Sequence, residues 1–305
     1  MLTAVDLFAG AGGFSTGAAQ AGLRVVWAAN HDPIAVACHR ANHPATDHAC
    51  QDLQQADFTA VPRHDVLLAS PSCTGHTPAR GKDRPQHDAA RATAWAVVTC
   101  AEVHRPAVIL VENVPEFQAW VLWPAWTAAI RALGYSLAPH VIDAADFGVP
   151  QHRERLIIVA TRSRNALHLA TPQLPHVPAS AVIDFASGRW TDVHRPGRAA
   201  ATLARIAAGR ARLGDRFLAP FYGSGSGLTG RSMDRPIGTL TTKARYALVD
   251  GDRMRMLTKA ETIHFGGFPA DYRLPDSMAL VNHLIGNAVP PAIPAWFIGE
   301  IRRCA

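Results

Sequence analysis

Five short stretches of this 305-residue chain carry residue types able to do chemistry. Phe8-Ala9-Gly10-Ala11-Gly12-Gly13 is a glycine-rich turn, which lets a ligand approach the backbone or simply makes a tight bend. Ser70-Pro71-Ser72-Cys73 places a thiol in a loop after an apolar run. A thiolate there is a nucleophile if its surroundings activate it, and otherwise the side chain is a small inert hydrophobe. Glu112-Asn113-Val114 sets a carboxyl at the end of another apolar run, suited to proton donation or to a plain surface role. In Gln151-His152-Arg153-Glu154-Arg155 alternate residues of an extended segment face one side. Gln151, Arg153 and Arg155 then line one surface, be it a site or a solvated edge. Gly286-Asn287-Ala288-Val289-Pro290-Pro291 precedes a helix and carries proline at its start.

Two chemistries are disfavoured. The first glycines do not follow G-x-G-x-x-G, because Ser15 holds the last position, so a dinucleotide site is not expected. The 15 histidines form no H-E-x-x-H, and the His39/His43 pair lacks a third ligand. No metal site is expected.

Alternating short strands and helices must position these residues. Strands are expected at Thr3–Phe8, Arg24–Ala29, Asp65–Ala69, Ala107–Val111 and Leu156–Ala160. Helices are expected at Phe14–Ala21, Asp32–Asn42, Ala89–Val103, Trp123–Leu133 and Pro291–Arg302. That alternation predicts an α/β fold with a doubly wound, Rossmann-like sheet. The chemistry-bearing stretches then fall in loops at strand ends. From about residue 163 to 235 the pattern gives way to Arg, Pro and Gly, which suggests a second, small, mainly irregular and β module.

Charge marks the same segment. The net charge is +6. Between Arg162 and Arg235 there are 11 arginines against four acids, a net of +7, leaving −1 for the rest. A GC-rich genome explains arginine in place of lysine but not its collection in one segment; a polyanion-binding module does. With 48% hydrophobic and 18% charged residues, the chain is not disordered. No apolar run reaches the roughly 18 residues needed to span a bilayer, and no signal-peptide pattern is present. Five scattered cysteines without a C-x-x-C pair suit a reducing compartment. A cytoplasmic protein of a bacterial or phage-infected cell is expected.

In order along the chain, D-L-F-A-G-A-G-G-F-S (6–15), P-S-C (71–73), E-N-V (112–114), Q-H-R-E-R (151–155), R-M-L-T-K-A-E (255–261) with G-F-P (267–269), and G-N-A-V-P-P (286–291) resemble the motifs of the DNA cytosine-5 methyltransferase family, in a phage-like or stand-alone form. The resemblance covers both ends of the chain and leaves out mainly the arginine block, where the family keeps its target-recognition region. It implies S-adenosyl-L-methionine as cofactor and double-stranded DNA as substrate. By the family mechanism a cytosine is flipped from the duplex and Cys73 attacks C6. Glu112 holds N3 and the exocyclic amine, and Arg153 and Arg155 grip the O2 side. Cofactor positions map onto Phe8, Gly10, Ala11, Gly13, Asn30, His31, Asp52, Leu53, Pro71, Asn287 and Val289. The stretch with Arg80, Lys82 and Arg84 resembles the loop that closes over the flipped base. With Gln151 and with Arg195, Arg198, Arg205, Arg210, Arg212 and Arg231 of the basic block, these are the candidate DNA contacts. If Asn287 and Val289 reach the cofactor, the large domain is discontinuous, residues 1–165 plus 282–305, around a recognition domain at 166–281.

The chain departs from the family at three places, one of them His31, where the family usually has an aromatic residue. The usual second proline before the cysteine is Ser72, which frees one φ angle and restores an N–H. The usual ribose-binding glutamate is Asn30, a weaker acceptor, so weaker or altered cofactor use is expected. Two other functions compete: RNA cytosine-5 methylation, and DNA binding with little activity. A monomer is expected, and a restriction endonuclease is a candidate partner.

Overall fold

The computed structural model describes residues 1–72, 90–221 and 230–304; Cys73, Arg80, Lys82 and Arg84 lie outside them. The chain forms two compact units. The first comprises Met1–Phe147, Glu154–Gln173 and Ala288–Ala305, and the second Gly148–Arg153 and Leu174–Asn287.

The first unit is built on a seven-stranded sheet. Its strands are β1 (Thr3–Leu7), β2 (Arg24–Asn30), β3 (Asp47–Cys50), β4 (Val66–Ala69), β5 (Val108–Asn113), β6 (Ser136–Asp143) and β7 (Glu154–Thr161). The order is β3-β2-β1-β4-β5-β7-β6. The first five strands in that order run parallel, and β7 pairs antiparallel with β5 and β6. Continuous apolar runs such as Val66-Leu67-Leu68-Ala69 are buried along their whole length, as a sheet covered on both faces requires. Leu7, Leu67, Ile109 and Ile158 share one core cluster. Truncating any of them to alanine costs about 2–5 kcal/mol.

The chain crosses from one side of β1 to the other, since β2 and β4 flank it. The carboxyl end of β1 is therefore the switch point of the sheet, where open α/β folds leave a crevice. Gly12, at φ +92°, caps helix α1 (Gly13–Gln20) from the left-handed region. Gly13 is glycine for contact: a Cβ there would lie 1.9 Å from the carbonyl oxygen of Val289. The last helix, Ala292–Cys304, packs along α1, with Pro294 against Gly17. Helix α2 (Pro33–Asn42) starts at Asp32, whose side chain accepts the Ile34 N–H at 2.8 Å.

Burial shifts several titratable groups of this unit, among them Asp6, His39 and His43. Burial pushes the Asp6 carboxyl up to about 7. It pushes His39 down to about 2 and His43 down to about 4, with neighbouring imidazoles adding to the effect. Between pH 4 and 6.5 the unfolded chain protonates both histidines and ionises the aspartate, while the folded chain does the reverse. From these three groups the unfolded state binds one proton more, about 1.4 kcal/mol per pH unit, and His48, His64 and His140, also lowered by burial, act in the same direction, so stability falls on acidification. Urea midpoints at pH 5 are expected well below those at pH 7; equal midpoints would contradict these burial assignments.

The second unit holds a four-stranded antiparallel sheet, β8 (Thr191–Asp192), β9 (Arg216–Pro220), β10 (Tyr246–Asp250) and β11 (Arg253–Met256), in the order β8-β11-β10-β9. The irregular and β character matches expectation, with one helix in the arginine block that was not expected. This is Ala200–Leu213, whose Ile206 packs with Phe217, Ala247 and Val249. Its alanines, leucines and arginines are good helix formers, and charge content obscured the apolar spacing of Leu203, Ile206 and Leu213. The R-M-L-T-K-A-E motif is structural here. Buried Arg255 donates to both carboxylate oxygens of Glu261 at 2.8 and 2.7 Å, and Glu261 closes a capping box with Thr258.

Candidate active site

The carboxyl ends of β1, β2, β4 and β5 carry most of the candidate residues of the first unit. After β1 the backbone turns through Phe8 at φ +61° and Gly10 at φ +53°. Gly12 N–H closes the turn on the Ala9 carbonyl at 2.8 Å. Ala11 is buried, and Phe8 packs against the core. A Cβ on Gly10 would meet only the Phe8 carbonyl, at 3.8 Å, so this face of the turn is open to a ligand. At the end of β2, Asn30 is buried and its Oδ1 accepts the Asp32 N–H at 2.9 Å. His31 is exposed. Beyond β3, Asp52 accepts the Gln54 N–H at 3.0 Å, and the Leu53 side chain lies in the core. Val289 sits on Gly13. Asn287 is exposed at the end of the helix Met278–Asn287 of the second unit.

The loop leading to Cys73 is anchored up to Ser72. Ser70 N–H donates to the Leu7 carbonyl at 3.1 Å. Pro71 is buried, and its carbonyl accepts Asn113 Nδ2 at 3.1 Å. The N–H that serine restores in place of proline donates to Thr93 Oγ1 at 3.0 Å. Asn113 and Thr93 are the positioning residues that motif matching passed over. Asn113 was legible inside E-N-V, but Thr93 carries no local signal because its partner lies 21 residues away. Thr93→Val is expected to cost about 1 kcal/mol or more of stability by stranding the Ser72 N–H. Thr93→Ser should restore it, and equal denaturation midpoints for all three proteins would discount the bond.

Glu112 stands opposite Ile157 in the β5–β7 ladder, so Arg155, two residues along, shares its face. Arg155 Nε lies 2.8 Å from Glu112 Oε1, with both side chains nearly buried. The pair places one carboxylate and one guanidinium, both hydrogen-bonding planes, at a strand end next to the Pro71 loop.

Gln151 and Arg153 do not join this pair in display. They belong to the second unit and hold it together. Gln151 is 1% exposed; its Nε2 donates to the Phe265 carbonyl and its Oε1 accepts the Leu240 N–H, both at 2.8 Å. Its amide is thus turned inward, away from the solvent-facing role of a candidate DNA contact. Arg153, 2% exposed, donates to the carbonyls of Leu240 at 3.0 Å and Gly286 at 2.8 Å. The arginine block is also partly committed to structure. Arg198 donates to the Val193 and Asp192 carbonyls, and Arg210 to Asp252 and the Gly251 carbonyl. Arg205 lies over the Phe221 ring, and Arg212 donates to the Gly230 carbonyl. Arg195 and Arg231 are exposed.

A Rossmann-like sheet whose strand order reverses at β1 carries a glycine turn open at that point and a carboxylate–guanidinium pair two strands away. The model of the C-5 cytosine-specific DNA methylase family matches residues 2–193 and 219–302. The chain belongs to that family, whose members are DNA cytosine-5 methyltransferases. Among relatives, the Type II methyltransferase M.NlaX of Neisseria lactamica is 28% identical over 302 residues, covering 95% of this chain and 92% of its own length. The Type II methyltransferase M.PspPI of a Psychrobacter species is 29% identical over 314 residues, with 94% and 75% covered. The fold is shared with the S. pombe Dnmt2 methyltransferase, at a TM-score of 0.72 and 16% identity, with 99% of this chain and 98% of that one covered. Among the described residues no group of histidines, cysteines and acids can hold a metal ion, and no helix is long and apolar enough to cross a membrane.

Proposed function

We propose that the protein methylates C5 of a cytosine flipped out of duplex DNA, with S-adenosyl-L-methionine as donor. One observation carries the assignment of the site: Asn113, next to Glu112, is bonded to the carbonyl of Pro71, so the Glu112–Arg155 pair and the loop leading to Cys73 start from a common fixed point. The open glycine turn, the polar end of β2 and the Val289 backbone fit the cofactor, which when bound supplies an electrophilic methyl on a sulfonium.

The chain's own residues do the rest. The Cys73 thiolate bonds to C6 of the cytosine, and the electron pair of the C5–C6 bond becomes available at C5. Glu112 shares a proton with N3 and accepts from the exocyclic amine, offsetting charge that develops in the ring. Arg155 orients Glu112 and faces the O2 side. Once C5 is substituted, a base removes the C5 proton, the double bond re-forms and Cys73 leaves as thiolate. Within the second unit, Arg153 fixes the Gly286 carbonyl next to Asn287. Exposed Arg195 and Arg231 are the members of the basic block best placed to meet phosphates. The Type II names of the relatives support a modification role alongside a restriction endonuclease.

Ser72 lends no weight to a decayed site, because its N–H is in use. Asn30 stands differently. An amide accepts more weakly than a carboxylate, by about 1 kcal/mol. Asn30→Glu is expected to tighten cofactor binding by about fivefold to tenfold on that basis. A calorimetric Kd unchanged by the substitution would count against Asn30 as a cofactor contact. The substrate class is tested by offering labelled methyl donor with duplex DNA and with transfer RNA in parallel. Label in the DNA alone is the expected result, and label in the RNA alone would favour the RNA enzyme.

A further inference from the structure

The assigned mechanism leaves unused a file of buried polar side chains in the first unit. Ser15 Oγ donates to Asp6 Oδ2 at 2.7 Å. His39 Nε2 lies 2.9 Å from Ser15 Oγ, and His39 Nδ1 lies 2.8 Å from His48 Nε2. Asp6, Ser15 and His39 are buried, while His48 on β3 is only half-buried and reaches the surface. The other Asp6 oxygen, Oδ1, is buried with no hydrogen-bond partner among the described residues. A second limb joins the glycine turn: His43 Nε2 lies 3.2 Å from Thr16 Oγ1, which donates to the Gly12 carbonyl at 2.8 Å.

Each of the three hydrogen bonds of the file holds one proton, so the file has two polarities. With Asp6 ionised, His48 Nε2–H donates to His39 Nδ1, His39 Nε2–H to Ser15 Oγ, and Ser15 O–H to Asp6. When a proton arrives at His48 Nδ1, each member passes its own inward, and Asp6 becomes protonated with both imidazoles still neutral. The reversed file then runs outward, from Asp6 O–H to His48 Nε2. A carboxyl sealed in the core can thus change charge without unfolding.

We propose that this file makes Asp6 an electrostatic positioning residue that, when ionised, favours the cationic methyl donor over its neutral thioether product. The proposal rests on the cofactor assignment above. Asp6 lies two residues before Phe8, on the strand that feeds the open turn, and Ser15 lies in the first turn of α1. Donor and product differ only by the transferred methyl and the sulfonium charge that it brings. A buried negative charge near this turn acts through a low-dielectric interior and distinguishes them on that charge alone.

The groups around Asp6 point to it as the member that titrates near neutrality. Burial pushes its carboxyl up to about 7. His39 and His43 of α2 are held neutral by burial, and His48 is also lowered by burial and by Arg40, against its hydrogen bond to the Thr46 backbone and the charge of Asp47. Asp32 caps α2, and Asp65 before β4 is bonded to Thr3. On the last helix, Arg302 is bonded to the Ala21 carbonyl at the far end of α1.

The test is calorimetric titration of the intact protein with S-adenosylmethionine and with S-adenosylhomocysteine at about pH 6 and about pH 8. The ratio of the two affinities cancels the ligands' shared carboxyl group, and Asp6→Asn measured alongside controls for the amino group, which the sulfonium makes more acidic in the donor. The ratio is expected to rise about tenfold in favour of the donor at the higher pH. Asp6→Asn should hold the ratio at its low-pH value throughout. Ser15→Ala, which strands the carboxylate, should do the same, and Ser15→Thr should restore the rise. A wild-type ratio equal at both pH values, or a rise retained in Ser15→Ala, would overturn the proposal and leave the cofactor assignment intact. Failure of either ligand to bind at any pH would overturn both.

Discussion

Cys73→Ser is expected to lower kcat by on the order of 10⁴-fold or more, with DNA binding retained. The expectation follows from the substrate. C5 of cytosine is a poor nucleophile and becomes a good one only when a nucleophile has added at C6. A thiol is substantially ionised when its pKa is lowered by its surroundings, whereas a serine hydroxyl is not. Serine at position 73 keeps the shape of the side chain, slightly smaller and more polar, but cannot form the adduct at a useful rate. Glu112, Arg155 and the cofactor turn remain in place, and none of them can activate C5 alone. Single-turnover methyl transfer beside a gel shift separates the two effects. Normal turnover by the serine protein would remove the covalent mechanism.

Glu112→Gln is expected to lower kcat by on the order of 10²-fold, the usual contribution of positioned acid–base help. The amide can still accept from the exocyclic amine, so the loss reports the proton shared with N3. The substitution also neutralises the partner of Arg155, 2.8 Å away and nearly buried with it. A stability loss of about 1 kcal/mol should accompany it, because the amide oxygen can still accept from Arg155 but no longer carries the opposite charge. Rates measured well below the unfolding transition keep the two losses apart. Wild-type kcat in the amide protein, with the stability loss present, would make Glu112 structural and assign it no role in proton transfer.

What was legible beforehand was whatever is local. The strand–helix alternation of the first 160 residues appears as expected because apolar runs such as Val108–Val111 are unambiguous. The glycine turn and α2, with Asp32 and Pro33 at its start, carry their own stop and start signals. What was not legible depends on partners distant in sequence. The short β3 is defined by pairing with β2. The direction of β7 follows from its ladders with β5 and β6. The inward turn of Gln151 is set by Phe265 and Leu240, about a hundred positions away. In the same way the charge of the arginine block pointed to a polyanion, yet Arg198 and Arg210 bond backbone carbonyls of their own unit. Counting charges locates a basic surface but not which arginines remain at it. The His39–Ser15–Asp6 file was invisible for the same reason, since only the packing of α2 on α1 brings an unremarkable histidine to a strand aspartate.

The central claim is tested most directly by nucleoside mass spectrometry. Wild-type protein and Cys73→Ser are each incubated with mixed-sequence duplex DNA and S-adenosylmethionine, and the DNA is digested to nucleosides. The expected result is 5-methyl-2′-deoxycytidine from the wild type and none from the variant. No methylated nucleoside from the wild type, with DNA still bound in a gel shift, would contradict the account and leave a DNA-binding relative of the methyltransferases without their activity.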